Sequence, residues 1–153
     1  MSIFQSLNIS SSALTADRVR MDVISSNMAN MDTTRAKMVN GHWEPYRRKT
    51  VVLEPQQTNF SSYMQAAING GNAPTAGGGV KVTKIVEDQT TPFQLVYDPE
   101  NPDANAAGYV QMPNVDPLRE MVDLMSSTRS YEANVTVLNA TKGMLMKALE
   151  IGK

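Results

Sequence analysis

Apolar residues recur every seven positions at both ends of this chain and nowhere between. Leu7, Leu14, Met21 and Met28 form one row, and Leu124, Tyr131, Leu138 and Leu145 form the other. That spacing puts each row on one stripe of an α-helix, and such a stripe needs another helix to cover it. Ile3, Ile24 and Met31 make a second row beside the first, interrupted by Ser10 and Asp17. Val135 and Leu149 join the C-terminal set. The expected fold class is mainly α with a small β insertion, and the eleven candidate interface positions are Leu7, Leu14, Met21, Ile24, Met28, Leu124, Tyr131, Val135, Leu138, Leu145 and Leu149.

The N-terminal helix is expected to end near Asn30. Ser10-Ser11-Ser12 is its weak point, because serine competes for backbone hydrogen bonds. The helix proper is expected to begin there, with residues 3–9 as a looser lead. Asn27, Asn30 and Asp32 read as its fraying end. The C-terminal helix has sharper signals. Asp116 suits an N-cap and Pro117 the first turn. It should reach Ile151, roughly 50 Å at 1.5 Å per residue. Gly143 inside it either admits a close neighbour or is a tolerated defect.

The middle reads differently. Tyr46–Glu54, Val80–Glu87 and Phe93–Tyr97 carry β-branched or alternating residues and predict strands. Residues 55–79 hold Gly70-Gly71 and Gly77-Gly78-Gly79 around Ala73-Pro74-Thr75, which predicts a flexible loop. Pro99 and Pro102 make Asp98–Gly108 a turn-rich connector. The chain thus divides into an N-terminal helix (1–34), a β-rich segment with long loops (35–113) and a C-terminal helix (114–153).

Eight heptad side chains do not offset the backbone entropy of two long helices, at about 1–2 kcal/mol per residue. Covering subunits are expected to supply the difference. Eleven Met residues suit packing against non-identical neighbours, and equally suit a core in which Met replaces Leu. A formal charge of −1 gives no global field toward nucleic acid or anionic membrane. Cysteine is absent, which excludes disulfides, thiol catalysis and Cys-based zinc sites. No apolar run is long enough to span a membrane, and no secretory leader is legible.

Catalytic chemistry is scarce, and no cofactor or metal is expected. His42 is the sole histidine, and Gly41, Trp43 and Glu44 around it form no catalytic motif. A surface or strand-flanking histidine beside a packed Trp43 is the reading of choice over a general base. Arg47-Arg48-Lys49 fits a solvated strand face, or contact with an anionic partner such as a cell-wall polymer or an acidic subunit. Asp98, Glu100 and Asp103 lack the spacing of a calcium loop.

Ser25-Ser26-Asn27-Met28-Ala29-Asn30-Met31-Asp32-Thr33-Thr34 resembles the Asn-x-Ala-Asn-x-x-Thr signature of the flagellar axial proteins, the rod, hook and junction subunits of the bacterial flagellum. The signature positions are Asn27, Ala29, Asn30, Thr33 and Thr34, with Tyr131, Glu132, Ala133 and Asn134 near the other end. Pro45-Tyr46-Arg47-Arg48-Lys49, Tyr97-Asp98-Pro99, Gly108-Tyr109-Val110 and Pro113-Asn114-Val115-Asp116 resemble the proximal rod members, as does the closing Lys147–Gly152. Arg35-Ala36-Lys37 after Thr34, where many axial proteins place Gly, is a departure that suits the same subgroup.

The resemblance implies a structural subunit of a hollow helical drive shaft. Its terminal helices would pair as a coiled coil in a helical tube, with the β-rich middle outside. It would transmit torque across the periplasm and leave the cytoplasm through the flagellar type III export apparatus, without a cleaved signal peptide. Implied partners are further copies, other rod proteins and a rod-to-membrane-ring adaptor. Asn27, Asn30 and Thr33 would cap and turn the chain, fix a junction to neighbours, or do both. Competing readings are another short axial rod protein, a secreted adaptor or export chaperone, and a rod-associated cell-wall enzyme. The enzyme would require two convergent carboxylates, and no motif supplies them.

Overall fold

A computed structural model describes residues 3–39, 41–56, 64, 68 and 78–151. Helix α1 spans Ile3–Ala29. It is followed by β1 (Lys37–Val39), β2 (His42–Glu44), β3 (Lys49–Pro55), β4 (Val80–Glu87), β5 (Gln94–Tyr97), β6 (Tyr109–Met112) and helix α2 (Pro117–Ile151). The strands pair as β1–β2, β3–β4 and β5–β6. Two long terminal helices around a small β-rich middle are thus observed. Most of the loop expected over 55–79 lies outside the described residues.

The chain forms two compact units, 1–19 with 52–84 and 127–153, and 20–51 with 85–126. They differ in what they bury. The second unit buries Val23, Ile24, Tyr46, Val110 and Val115. The buried residues described in the first are small or polar: Ser10, Ala16, Asp17, Ser127 and Thr141.

In the first unit, α1 does not begin at the serine triplet. It runs through it from Ile3. One hydroxyl of the triplet and one just after it bond back into the helix instead of competing with it: Ser12 Oγ donates to the Ile9 carbonyl at 2.7 Å and Thr15 Oγ1 to that of Ser11 at 3.0 Å. Ser12 Oγ also accepts the Val80 N–H at 3.1 Å, which ties the start of β4 to α1. Gly79 permits this approach, since a Cβ there would sit 1.9 Å from Ser12 Oγ. Asp17, which breaks the apolar row in the sequence, is buried and accepts Asn134 Nδ2 of α2 at 3.2 Å. Among the described residues, nothing lies within 4 Å of the position a Cβ would take at Gly143.

In the second unit, β1 and β2 pair antiparallel from Lys37↔Glu44 to Val39↔His42, and Gly41 just before β2 has φ +84°. The Asn-Gly dipeptide at 40–41 is a strong hairpin signal, one that a search for β-branched runs does not register. β6, a strand not expected from the sequence, pairs with β5 from Gln94↔Met112 to Tyr97↔Tyr109. The strand expected from Tyr46 begins only at Lys49, because the backbone just before it is committed elsewhere. The Tyr46 N–H donates to the Thr33 carbonyl at 3.0 Å, and the Arg48 N–H to Asn114 Oδ1 at 2.7 Å. Helix α2 starts as expected. Asp116 Oδ1 accepts the Leu118 N–H at 3.0 Å, an N-cap bond typically worth about 1 kcal/mol.

Candidate functional site

The most developed polar arrangement lies in the second unit, where the end of α1 meets the start of β3 and the first turn of α2. At its centre is Asn27, with no exposed surface. Its Nδ2 donates to the Lys49 carbonyl at 2.9 Å and to Glu120 Oε2 at 3.0 Å. Its Oδ1 accepts the Lys49 N–H at 2.9 Å and the Tyr46 hydroxyl at 3.0 Å. A primary amide has two donors and two acceptor lone pairs, so Asn27 is fully satisfied. Its amide meets Lys49 as a neighbouring strand would, through one N–H and one C=O.

Glu120 is equally buried. Its Oε1 accepts Arg48 Nε at 2.5 Å, and Arg48 Nη2 reaches Asp123 Oδ2 at 3.3 Å. Asn114 extends the network by donating to the carbonyls of Asp88 and Thr91, both at 3.1 Å. Buried charges persist when paired and hydrogen-bonded, and this cluster meets both conditions. It fixes where α1 ends, where β3 begins and how α2 starts.

The basic triplet is therefore not a solvated strand face. Arg48 is in the buried network, the Arg47 guanidinium lies 4.4 Å from the centre of the Phe93 ring, and Lys49 Nζ lies 5.4 Å from that of Tyr46. Trp43 is a second correction, since it is half exposed instead of packed.

The signature residues separate by role. Asn30 Nδ2 donates to the Ser26 carbonyl at 2.8 Å, closing the last turn of α1, and its Oδ1 accepts Thr33 Oγ1 at 3.3 Å. Thr34 Oγ1 donates to Asp103 Oδ2 at 2.8 Å, beside the Arg35–Asp103 ion pair. Asn134 meets Asp17, as described. Ala29, Glu132 and Ala133 are exposed. Of the seam positions, Ile24 is buried and Leu149 is exposed; Leu7, Leu14, Met21, Met28, Leu124, Tyr131, Val135, Leu138 and Leu145 are half-buried. Glu120 was not singled out from the sequence; a Glu in a first helical turn reads as a solvated partner of the dipole.

Two carboxylates outside the network hold local turns. Asp88 accepts the hydroxyls of Thr90 and Thr91, both at 2.7 Å, and their N–H groups at 2.9 and 3.1 Å. These bonds, led by the Thr90 hydroxyl, hold its carboxyl far below the usual range. Arg35, followed by Thr34, lowers that of Asp103. A folded-state value below the unfolded one gives stability that is present above about pH 4 and is lost as pH falls toward the folded value. Urea unfolding at about pH 5 and about pH 3 should show wild type losing more stability over that interval than Asp88→Asn. Equal losses would remove Asp88 from the acid response.

Among the described residues, no group of three His, Cys, Asp or Glu side chains is placed to hold a metal ion. None of the described helices is long and apolar enough to cross a membrane.

Comparison with known proteins gives a consistent result. Residues 7–37 match the family model described as flagella basal body rod protein, and residues 106–151 match flagellar basal body rod FlgEFG protein C-terminal. The chain is 69% identical over its full 153 residues to the whole of the flagellar basal-body rod protein FlgC of Bacillus subtilis. It is 44% identical to the Escherichia coli O157:H7 FlgC, over all of both chains. It is 40% identical to that of Borreliella burgdorferi, over 99% of this chain and 98% of the other.

Proposed function

This chain belongs to the FlgC family of flagellar basal-body rod proteins and is a structural subunit of the rod; on that premise we propose how its surfaces serve assembly. One observation carries the reading. At the start of α2, Leu118, Met121, Val122 and Met125 are 75%, 48%, 59% and 58% exposed. Their spacing of i, i+3, i+4 and i+7 places them on one face. Glu120 and Ser127 are buried on another. This helix therefore turns polar side chains inward and an apolar stripe toward solvent, the reverse of a free-standing amphipathic helix. Such an inversion suits a subunit whose neighbours cover the stripe.

In this reading the two terminal helices pair as a coiled coil. The heptad residues Leu7, Leu14, Met21 and Met28 of α1 and Leu124, Tyr131, Leu138 and Leu145 of α2 line the seams within and between subunits. Residues 1–34 and 114–153 form the inner tube, and 35–113 form the outer β-rich segment. The subunit catalyses no reaction. It joins further copies, other rod proteins and a rod-to-membrane-ring adaptor, and it helps carry torque across the periplasm after leaving through the flagellar type III apparatus.

The test is incorporation of the double variant Leu118→Glu/Val122→Glu. Both positions are exposed in the subunit, so its unfolding transition should match wild type. Incorporation into purified basal bodies should fall at least about tenfold, since burying two unpaired carboxylates costs more than about 1.4 kcal/mol. Normal incorporation would mean that this stripe faces no neighbour.

A further inference from the structure

A groove in the unit formed by residues 20–51 and 85–126 takes no part in the buried junction. Trp43 of β2 and Tyr109 of β6 line it, with His42, Asn105 and Gln111 along its polar side. Trp43 is 52% and Tyr109 43% exposed. The Tyr109 ring is braced by another ring, and Trp43 is placed by strand pairing. Trp43 stands opposite Met38 across the β1–β2 ladder. The Tyr109 ring meets that of Tyr97 edge-on, with centroids 5.3 Å apart and planes at 66°. Tyr97 in turn lies over Gly108, where a Cβ would come within 2.9 Å of its ring.

The polar groups of the groove are largely unspent. The side chains of His42, Trp43 and Gln111 make no hydrogen bond among the described residues. Asn105 Oδ1 accepts the N–H groups of Ala107 at 2.9 Å and Tyr109 at 3.0 Å, which orients the side chain and leaves its NH₂ group to donate. The one carboxylate of the lining, Asp103, is held by Arg35 and Thr34. The groove thus presents aromatic faces, one oriented amide and the free polar groups of His42 and Gln111, and its one carboxylate is already paired.

A matching ligand has a flat apolar face, rim groups that both donate and accept, and no net charge. Pyranose rings joined through equatorial bonds have this form: axial C–H groups cover an aromatic ring, and vicinal hydroxyls engage amides in pairs. A proline-rich peptide would also stack on the rings. Its exposed carbonyls only accept, however, which leaves the Gln111 carbonyl unpartnered. We infer that this groove binds a neutral β-linked oligosaccharide, stacked on Trp43 and Tyr109 and held by the amides of Asn105 and Gln111. This inference is independent of the assembly reading.

Trp43 is the only tryptophan in the chain, so its fluorescence reports on the groove alone. The full-length protein should be titrated with chitotetraose, with cellotetraose and with a proline-rich decapeptide. At least one sugar should give a saturable change with Kd of about 1 mM, typical of a shallow polar site. Gln111→Ala, an exposed position, should weaken binding about tenfold through loss of its paired hydrogen bonds. Lys81→Ala, on β4, should leave it unchanged. Trp43→Ala, read by calorimetry, should abolish it. No saturation by either sugar up to about 10 mM would overturn the inference. So would binding that Gln111→Ala does not alter, or a peptide that binds at least as tightly as the sugars.

Discussion

Asn27→Asp should destabilise the protein by about 4 kcal/mol at neutral pH, near the upper end of single-substitution effects. The change alters hardly any atoms in shape. It removes both donors, the one to the Lys49 carbonyl and the one to Glu120 Oε2. It also sets a second carboxylate within hydrogen-bond distance of a fully buried first one. Two such groups cannot both stay ionised at low cost, so one of them must bind a proton. The deficit relative to wild type should therefore shrink as pH falls from about 7 toward about 5. Asn27→Leu has no such charge and should lose about 3 kcal/mol without that recovery, from stranding Lys49 and the Tyr46 hydroxyl. Urea unfolding across this pH range separates the two variants. A pH-independent deficit in Asn27→Asp would show that its carboxylate is not held against Glu120.

Glu120→Ala should cost about 3 kcal/mol, the lower end for breaking a buried ion pair. Arg48 would lose its closest anion and keep only Asp123, at 3.3 Å. Glu120→Gln tests the charge apart from the shape. Glu120 now accepts from two donors, Arg48 Nε and Asn27 Nδ2. An amide has one oxygen for those two donors and sets its own NH₂ against the other. The expected loss is about 2 kcal/mol. The denaturant midpoint should move while the m-value holds. A Gln variant as stable as wild type would mean that the ionised carboxylate is not required.

Much of the fold was legible because its signals are local. Heptad rows mark the two helices, Asp116 and Pro117 set the start of α2, and β-branched runs mark β3, β4 and β5. The junction was only half legible. Asn27, Tyr46, Arg48 and Asn114 all fall in segments that carry the family resemblance, yet nothing in their spacing shows that they converge. Asn27 lies 93 positions from Glu120, and no local propensity reports a contact at that separation. The basic triplet misled for the same reason. Three consecutive cations read as solvated, and only the folded chain supplies Glu120 and Phe93 to two of them. Ser10 and Asp17 looked like faults in an apolar row; both are buried, and Asp17 has its partner in a distant helix.

The difference in burial between the two units changes the expectation for the free subunit. The heptad rows alone predict that both helices depend on covering subunits for their stability. The end of α1 and the start of α2 now belong to a unit with an apolar core and a satisfied polar network. The remaining lengths have small or polar buried residues, and they expose Phe4, Val137, Met144, Leu149 and Ile151. We propose that the subunit enters assembly half-formed, with its junction folded and its outer helical lengths ordered only by neighbours.

Hydrogen exchange on dilute, monomeric protein tests this most directly. The proposal predicts slow exchange over residues 23–29, 46–51 and 110–124, and fast exchange over 4–19 and 128–151. Slow exchange along the whole of both helices would contradict it, and so would fast exchange over 23–29.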